Sequence, residues 1–186
     1  MTNLYFIAIL TPEKITKDIR HFQQQAANLF HSRRALRNPP HITLIPPFRF
    51  PRKKASAADF ATARQRLQKR LTEFAERQDI RQILGHLHIE LHDFGFFPPR
   101  VIFVRVKENP ELNRLQAALQ KATSDLTGFP PVPKRPFHPH LTIAYRDLDE
   151  ALFPKARRHF EALRYRASFP APQLTLLKHE NGRWVS

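Results

Sequence analysis

Cysteine is absent from the 186-residue chain, which excludes disulfides, thiolate metal sites and sulfur redox chemistry. Long apolar runs are also absent: no segment approaches the roughly 20 apolar residues that span a bilayer. The opening MTNLYFIAILTPEK has a short apolar run and no basic leader before it. Low-complexity segments and linker-like stretches are missing too, so residues 1–186 are read as a single domain. These absences predict a cytoplasmic protein with no membrane contact. No obligate protein partner is inferred, and a monomer is expected. Acidic residues are scarce, 16 against 31 Lys and Arg, and the resulting formal charge of +15 is spread along the chain. Such a field attracts polyanions, of which RNA is the abundant intracellular one.

What is present is enough for a core: 41% of residues are hydrophobic and 16 are Phe. LYFIAIL reads as a buried strand, with Thr11 as N-cap and Pro12 as first residue of a helix carrying Ile15, Ile19, Phe22, Ala26 and Phe30 on one face. HITLI follows as a strand, then a helix over 57–77. ILGHLHIELHDFGFF and VIFVRV read as a hairpin joined through Pro98 and Pro99. A third helix starts at Asn109 to Glu111 and is stopped by Gly128, with Leu112, Leu115, Leu119, Ala122 and Leu126 facing inward. HLTIAY, a helix over 149–163 and strands around RYRASF and QLTLLKH complete the order. Strand, helix and strand thus occur twice, over 4–45 and 101–145. The expected fold is α+β, with two pseudo-symmetric lobes, each an antiparallel sheet backed by helices, around a central cleft.

Each repeat ends in the same phrase, His-x-Thr: PPHITLIPPF contains His41 and Thr43, and FHPHLTIAYR contains His140 and Thr142. Side chains at i and i+2 of a strand share a face, so each phrase presents an imidazole beside a hydroxyl. One His-x-Thr means little; two in matching strand contexts, half a chain apart, suit phosphodiester chemistry. One imidazole removes a proton, the other supplies one, and the hydroxyls hold the phosphoryl group. An ordinary histidine pKa near 6.5 lets one ring be neutral and the other protonated near neutral pH.

These residues resemble the 2H phosphoesterase superfamily, named for its two His-x-Thr motifs, and within it the bacterial 2′-5′ RNA ligase-like proteins, also called RNA 2′,3′-cyclic phosphodiesterases. The likeness is carried by RPFHPHLTIAYR (residues 135–146), PPHITLIPPF (39–48), FGFFPPRVIFVRV and the terminal QLTLLKHENGRW. It implies a bilobal fold and a cleft that needs no metal or other cofactor. The implied reaction opens a terminal 2′,3′-cyclic phosphate to a 2′-phosphate, with 2′-5′ ligation as its reverse in some members. His41 and His140 are then the acid-base pair, and Thr43 and Thr142 hold phosphate oxygens. The reading adopted gives His41 the acid role at the 3′ oxygen and His140 the base role, although either order is open. Pro46, Pro47 and Phe48 replace the small apolar run that follows the first motif in the ligases, which leaves substrate identity open. The alternatives are a small cyclic nucleotide or ADP-ribose cyclic phosphate as substrate, and a binding protein without turnover.

Around the motifs, Arg135 and Arg146 are expected to meet phosphate charge. Phe48, Phe97, Phe137 and Tyr145 are expected at the cleft mouth, where an exposed ring stacks on any base. The basic runs Arg33, Arg34, Arg37 and Arg52, Lys53, Lys54 flank the first motif as contacts for an RNA backbone. His138 beside His140, and His86 with His88, resemble metal-ligand pairs but have no Asp, Glu or Cys at ligand spacing. His86 and His88 are read as ordinary residues of one strand face.

Overall fold

The alternation of the first strand, β1 (Leu4–Leu10), is hidden because both of its faces are covered. Tyr5, Ile7 and Ile9 point into the main core, whereas Phe6 and Ala8 join Leu177 in a small second cluster against Leu10 and Trp184. The structure is a computed structural model and describes residues 4–50, 57–124, 126, 129 and 136–186. Helix α1 (Glu13–Phe30) buries Ile15, Ile19, Ala26, Ala27 and Phe30 at helical spacing. It ends where His31 takes the left-handed conformation, φ 61°. The cap at its start differs from expectation: Pro12 occupies the N-cap position, and Thr11 Oγ1 bonds Thr16 Oγ1 and the Pro40 carbonyl instead of a helix N–H. A short 3-10 turn (Arg34–Arg37) leads to β2 (His41–Arg49).

Helix α2 (Ala57–Glu76) is followed by α3 (Gln78–His86), where a strand entry was expected. Ile80, Ile83 and Leu87 are buried three and four residues apart, so the helical period wins over the apparent alternation of ILGHLHIEL. His86 therefore ends a helix, its Nδ1 3.0 Å from the Gln82 carbonyl, and His88 opens β3 (His88–Phe97); the two do not share a strand face. Next come β4 (Val101–Val106), α4 (Pro110–Ser124), β5 (His140–Ala144), α5 (Phe153–Glu161), β6 (Arg166–Pro170), β7 (Thr175–Glu180) and β8 (Arg183–Val185). Asn109 Oδ1 accepts from the Leu112 N–H at 3.0 Å and caps α4, which buries Leu112, Leu115 and Leu119. Each of those leucines contributes about 1.5–3 kcal/mol by leaving water. Gly128, expected to stop this helix, lies outside the described residues. Among the described residues, no helix is long and apolar enough to cross a membrane.

All strand pairs are antiparallel, in the order β6-β3-β4-β5-β2-β1-β7-β8. The sheet divides into two four-stranded halves that meet at β2 and β5. The halves correspond through β1-α1-β2 and β4-α4-β5, the two repeats seen in sequence. They are in register at Ile42 with Leu141, the middle residue of each His-x-Thr phrase. The motif strands therefore touch at their first residues and part beyond them, which opens a cleft at the junction. Helices tie the halves from behind: Gln23 of α1 donates to the Thr142 carbonyl at 3.0 Å, and Gln116 of α4 donates to the Leu44 carbonyl at 3.3 Å.

Candidate active site

Both motif histidines are held by the same local bond. His41 Nδ1 stands 2.6 Å from the Pro39 carbonyl oxygen, and His140 Nδ1 stands 2.7 Å from the His138 carbonyl oxygen. A carbonyl only accepts, so Nδ1 carries the proton in each ring and Nε2 is left as the atom that titrates. A proline immediately precedes each histidine, Pro40 and Pro139. The extended conformation it imposes on the residue before it fixes the position of that carbonyl. Aromatic rings support the imidazoles: Phe6 lies 4.7 Å from His41, and Phe103 and Phe97 lie 4.9 and 5.5 Å from His140.

Extending the Ile42 to Leu141 pairing by one residue either way sets His41 opposite Thr142 and Thr43 opposite His140. Opposed Cβ atoms in such a pair are about 5 Å apart. Each imidazole thus has a threonine beside it on its own strand and another across the junction. Both histidines are half-buried, yet protein atoms crowd their rings, and burial lowers the pKa of each below the ordinary value. For His41 the Pro39 carbonyl offsets part of this and the charge of His140 adds to it. For His140 the His138 carbonyl offsets part and the charge of His138 adds to it. Burial thus favours the neutral form of each ring in the free protein.

A cavity of about 640 Å³ opens beside His41, with Thr43 and Thr142 in its wall. Arg34, Arg37 and Arg146 line it, with no carboxylate among the described residues of its wall. Arg146 has a left-handed backbone, φ 57°, and its guanidinium carbon lies 5.8 Å from the centre of the Tyr145 ring. The residue after it, Asp147, anchors the opposite wall. Its carboxylate accepts from Ser32 Oγ and from the Arg33 and Arg34 N–H groups, each at 2.8 Å. Asn38 Nδ2 adds a 3.2 Å bond to the Tyr145 hydroxyl. The loop bearing Arg34 and Arg37 is thus fastened to the exit of β5, which bears His140 and Thr142.

The fold brings Tyr145 and Arg146 to this cavity with His41, Thr43 and Thr142. Phe97 is 37% exposed and stands beside His140. Phe48 is corrected: it is buried in the core against Tyr5 and Phe129, because its side chain falls on the inner face of β2, so it offers no ring to a base. Phe137 is half-buried and packs on the same core. Arg135, Arg52, Lys53 and Lys54 lie outside the described residues. Sequence reasoning missed Trp184, His179, Asn38 and Gln23, which complete the cavity wall. Trp184 reaches it through the terminal hairpin, its ring 4.5 Å from Phe6; no spacing in the sequence shows that β7 and β8 join the first half of the sheet.

The family model described as 2′-5′ RNA ligase superfamily matches residues 11–183. No curated protein matches the chain. Among solved structures, Escherichia coli LigT complexed with 3′-AMP is 20% identical, with a TM-score of 0.58 over 100% of this chain and 94% of that one. TT0787 of Thermus thermophilus is 19% identical, with a TM-score of 0.57 over 95% of this chain and 88% of that one. The E. coli protein complexed with ATP gives 19% identity and a TM-score of 0.54 over 100% and 93%. These likenesses establish a LigT-like fold.

Proposed function

The chain belongs to the 2′-5′ RNA ligase superfamily, and from that premise we propose that it hydrolyses 2′,3′-cyclic phosphate ends of RNA to 2′-phosphates, without a metal, by paired-histidine acid-base catalysis. The duplicated Nδ1 bond to a backbone carbonyl carries this reading, because it leaves Nε2 as the titrating atom of both rings, on two strands that pair at Ile42 and Leu141. Thr43 and Thr142 donate their hydroxyls to the non-bridging phosphate oxygens. A water oxygen attacks phosphorus while His140 Nε2 takes its proton. The bond from phosphorus to the 3′ oxygen breaks, and that oxygen takes a proton from His41 Nε2. The products are a 2′-phosphate and a 3′-hydroxyl, with the proton now on His140; exchange with solvent resets the pair. With a 5′-hydroxyl attacking phosphorus in place of water, the same steps in the same direction make a 2′-5′ linkage and free the 3′-hydroxyl.

The anionic phosphate opposes the effect of burial. Both histidine pKa values are lowered, and an anion bound between the rings raises them, so that one is protonated in the complex. Arg34, Arg37 and Arg146 add charge that stabilises the developing phosphorane. A second reading, a small cyclic nucleotide as substrate, is favoured by the cavity volume of about 640 Å³, which falls in the range for one drug-sized ligand. LigT has been solved complexed with 3′-AMP, which supports a nucleotide ligand for this chain under either reading.

The test is incubation in EDTA with a short RNA ending in a 2′,3′-cyclic phosphate, followed by mass and phosphatase analysis of the product. A 2′-phosphate formed by the native protein, and lost at least about 10²-fold in His41→Ala and His140→Ala, is expected. Turnover of cyclic mononucleotides alone would establish the second reading. Binding of RNA with no turnover of either substrate would leave a non-catalytic sensor.

A further inference from the structure

The two halves of the sheet are alike in topology but opposite in chemistry on the face that carries the motifs. In the first half, the row next to β2 runs through Phe6, Ala8 and Leu177 and is closed by Trp184, all apolar. In the second half, His140 of β5 pairs with Arg105 of β4, Arg105 pairs with His92 of β3, and His92 pairs with Arg166 of β6. Directly opposed residues of antiparallel strands share a face. The four side chains therefore form one straight row from the catalytic junction to the sheet edge. Three strand spacings make it about 14 Å long.

Arg105 and Arg166 are exposed, and neither has a carboxylate partner among the described residues. In the next row, Glu90, which pairs with Ser168, is already held by Lys107 at 3.0 Å. A recess of about 740 Å³ lies here, lined by Glu90, His92, Lys107, Arg166 and Ser168. Two features keep the row continuous. Asp93, φ 45°, is the extra residue of a bulge after His92, and its carboxylate accepts from the Tyr165 N–H at 3.1 Å, which fastens β3 to the entry of β6. Gly95 leaves room for the Phe103 ring, so the face beside Arg105 is flat.

We propose that this cross-strand row is a track for the sugar-phosphate backbone of the nucleotides preceding the cyclic end, which makes a single-stranded oligonucleotide the preferred substrate over a mononucleotide. The inference rests on the cyclic phosphodiesterase reading. The arginine-lined cavity takes the terminal nucleotide, and the chain leaves across the second half of the sheet, where Arg105 and Arg166, two strand spacings apart, meet phosphates of the backbone. The row of Phe6, Ala8, Leu177 and Trp184 in the first half offers no cation and is not on the path. Discrimination among bases is not expected from this row, since backbone contacts carry no sequence information.

The experiment compares the native protein, Arg105→Gln/Arg166→Gln, and a control of equal charge loss on the helices, Arg114→Gln/Arg158→Gln. Binding of a single-stranded RNA with a 2′-phosphate end is read by fluorescence anisotropy between about 50 and 200 mM salt, and turnover is read on cyclic mononucleotide and cyclic oligonucleotide. Losing two phosphate contacts lowers the slope of log K against log salt by about 1.4, so native binding weakens about sevenfold more than variant binding over this range. The track variant is expected to show that change and to lose its preference for the oligonucleotide while mononucleotide turnover is retained; the control keeps the native slope. An unchanged slope in the track variant, or an equal fall in the control, overturns the track. If the native protein turns over neither substrate, the cyclic phosphodiesterase reading fails, and the binding slopes still decide the track.

Discussion

Gly95 offers the sharpest test of how the fold positions His140. A Cβ at this position would stand 2.5 Å from Phe103 Cζ and 3.1 Å from Arg105 Cγ, where ordinary contact begins at 3.4 Å. In Gly95→Ala the Phe103 ring must therefore retreat by about 1 Å, toward neighbours that include His140 at 4.9 Å and Phe97 at 4.4 Å. Overpacking of this kind costs about 1–3 kcal/mol. With His140 in its proposed proton-transfer role, a misplacement near 1 Å costs about 10²-fold in rate. The assay is kcat/KM on a cyclic phosphate substrate across pH, together with the urea midpoint. The expected result is a rate loss larger than the stability loss explains in the folded protein, with a shifted pH profile, because His140 has moved. Phe103→Leu removes the ring that collides, so Gly95→Ala in that background should cost little further, giving a coupling between the two sites. Native rates in Gly95→Ala, or strictly additive losses in the pair, would refute the role of Phe103 as the support of His140.

The proposed acid and base roles separate with a substrate whose 3′ leaving oxygen is replaced by sulfur. A thiolate leaves without a proton, so this substrate should restore much of the rate of His41→Ala and none of that of His140→Ala; the opposite pattern reverses the assignment. Both histidines hold pKa values lowered mainly by burial. As pH falls below the ordinary value near 6.5, the unfolded chain takes up protons before the native one, so their contribution to stability is full above that pH and is lost toward the native values. Urea midpoints between about pH 7 and 5 should fall less steeply in His41→Ala/His140→Ala than in the native protein; parallel curves would count against the burial account. Asp147→Ala removes three hydrogen bonds at 2.8 Å and frees the loop bearing Arg34 and Arg37. It should cost about 1.5–3 kcal/mol and raise KM while kcat is largely kept. An unchanged KM would mean that the loop is held in some other way.

Much of this was legible beforehand, for identifiable reasons. Helices α1 and α4 show their apolar period because one face meets the core and the other meets water. β1 was legible as a buried run, but which of its residues face the core and which face the cleft cannot be read from a strand covered on both sides. α3 was misread because a short apolar run bounded by histidines satisfies both periods, and only the burial of Ile80, Ile83 and Leu87 decides between them. Phe48 looked like a cleft residue from its place after the first motif, yet the face it occupies on β2 turns it inward. The cavity wall was the least legible part: Trp184 and Asn38 come from distant segments, and nothing local records that they converge.

By itself the sequence determined the chemistry on offer: two imidazole-hydroxyl pairs, each opening a strand, each preceded by a proline, in a chain carrying an excess of positive charge and no thiols. Those are local and compositional properties, settled by dihedral limits and side-chain identity. Only the tertiary structure decided that the two pairs meet at Ile42 and Leu141, that Asp147 draws Arg34 and Arg37 to the same junction, and that His140, Arg105, His92 and Arg166 line up across one half of the sheet. Strand order and register are set by long-range burial, which links residues a hundred positions apart and leaves no mark in the spacing of either.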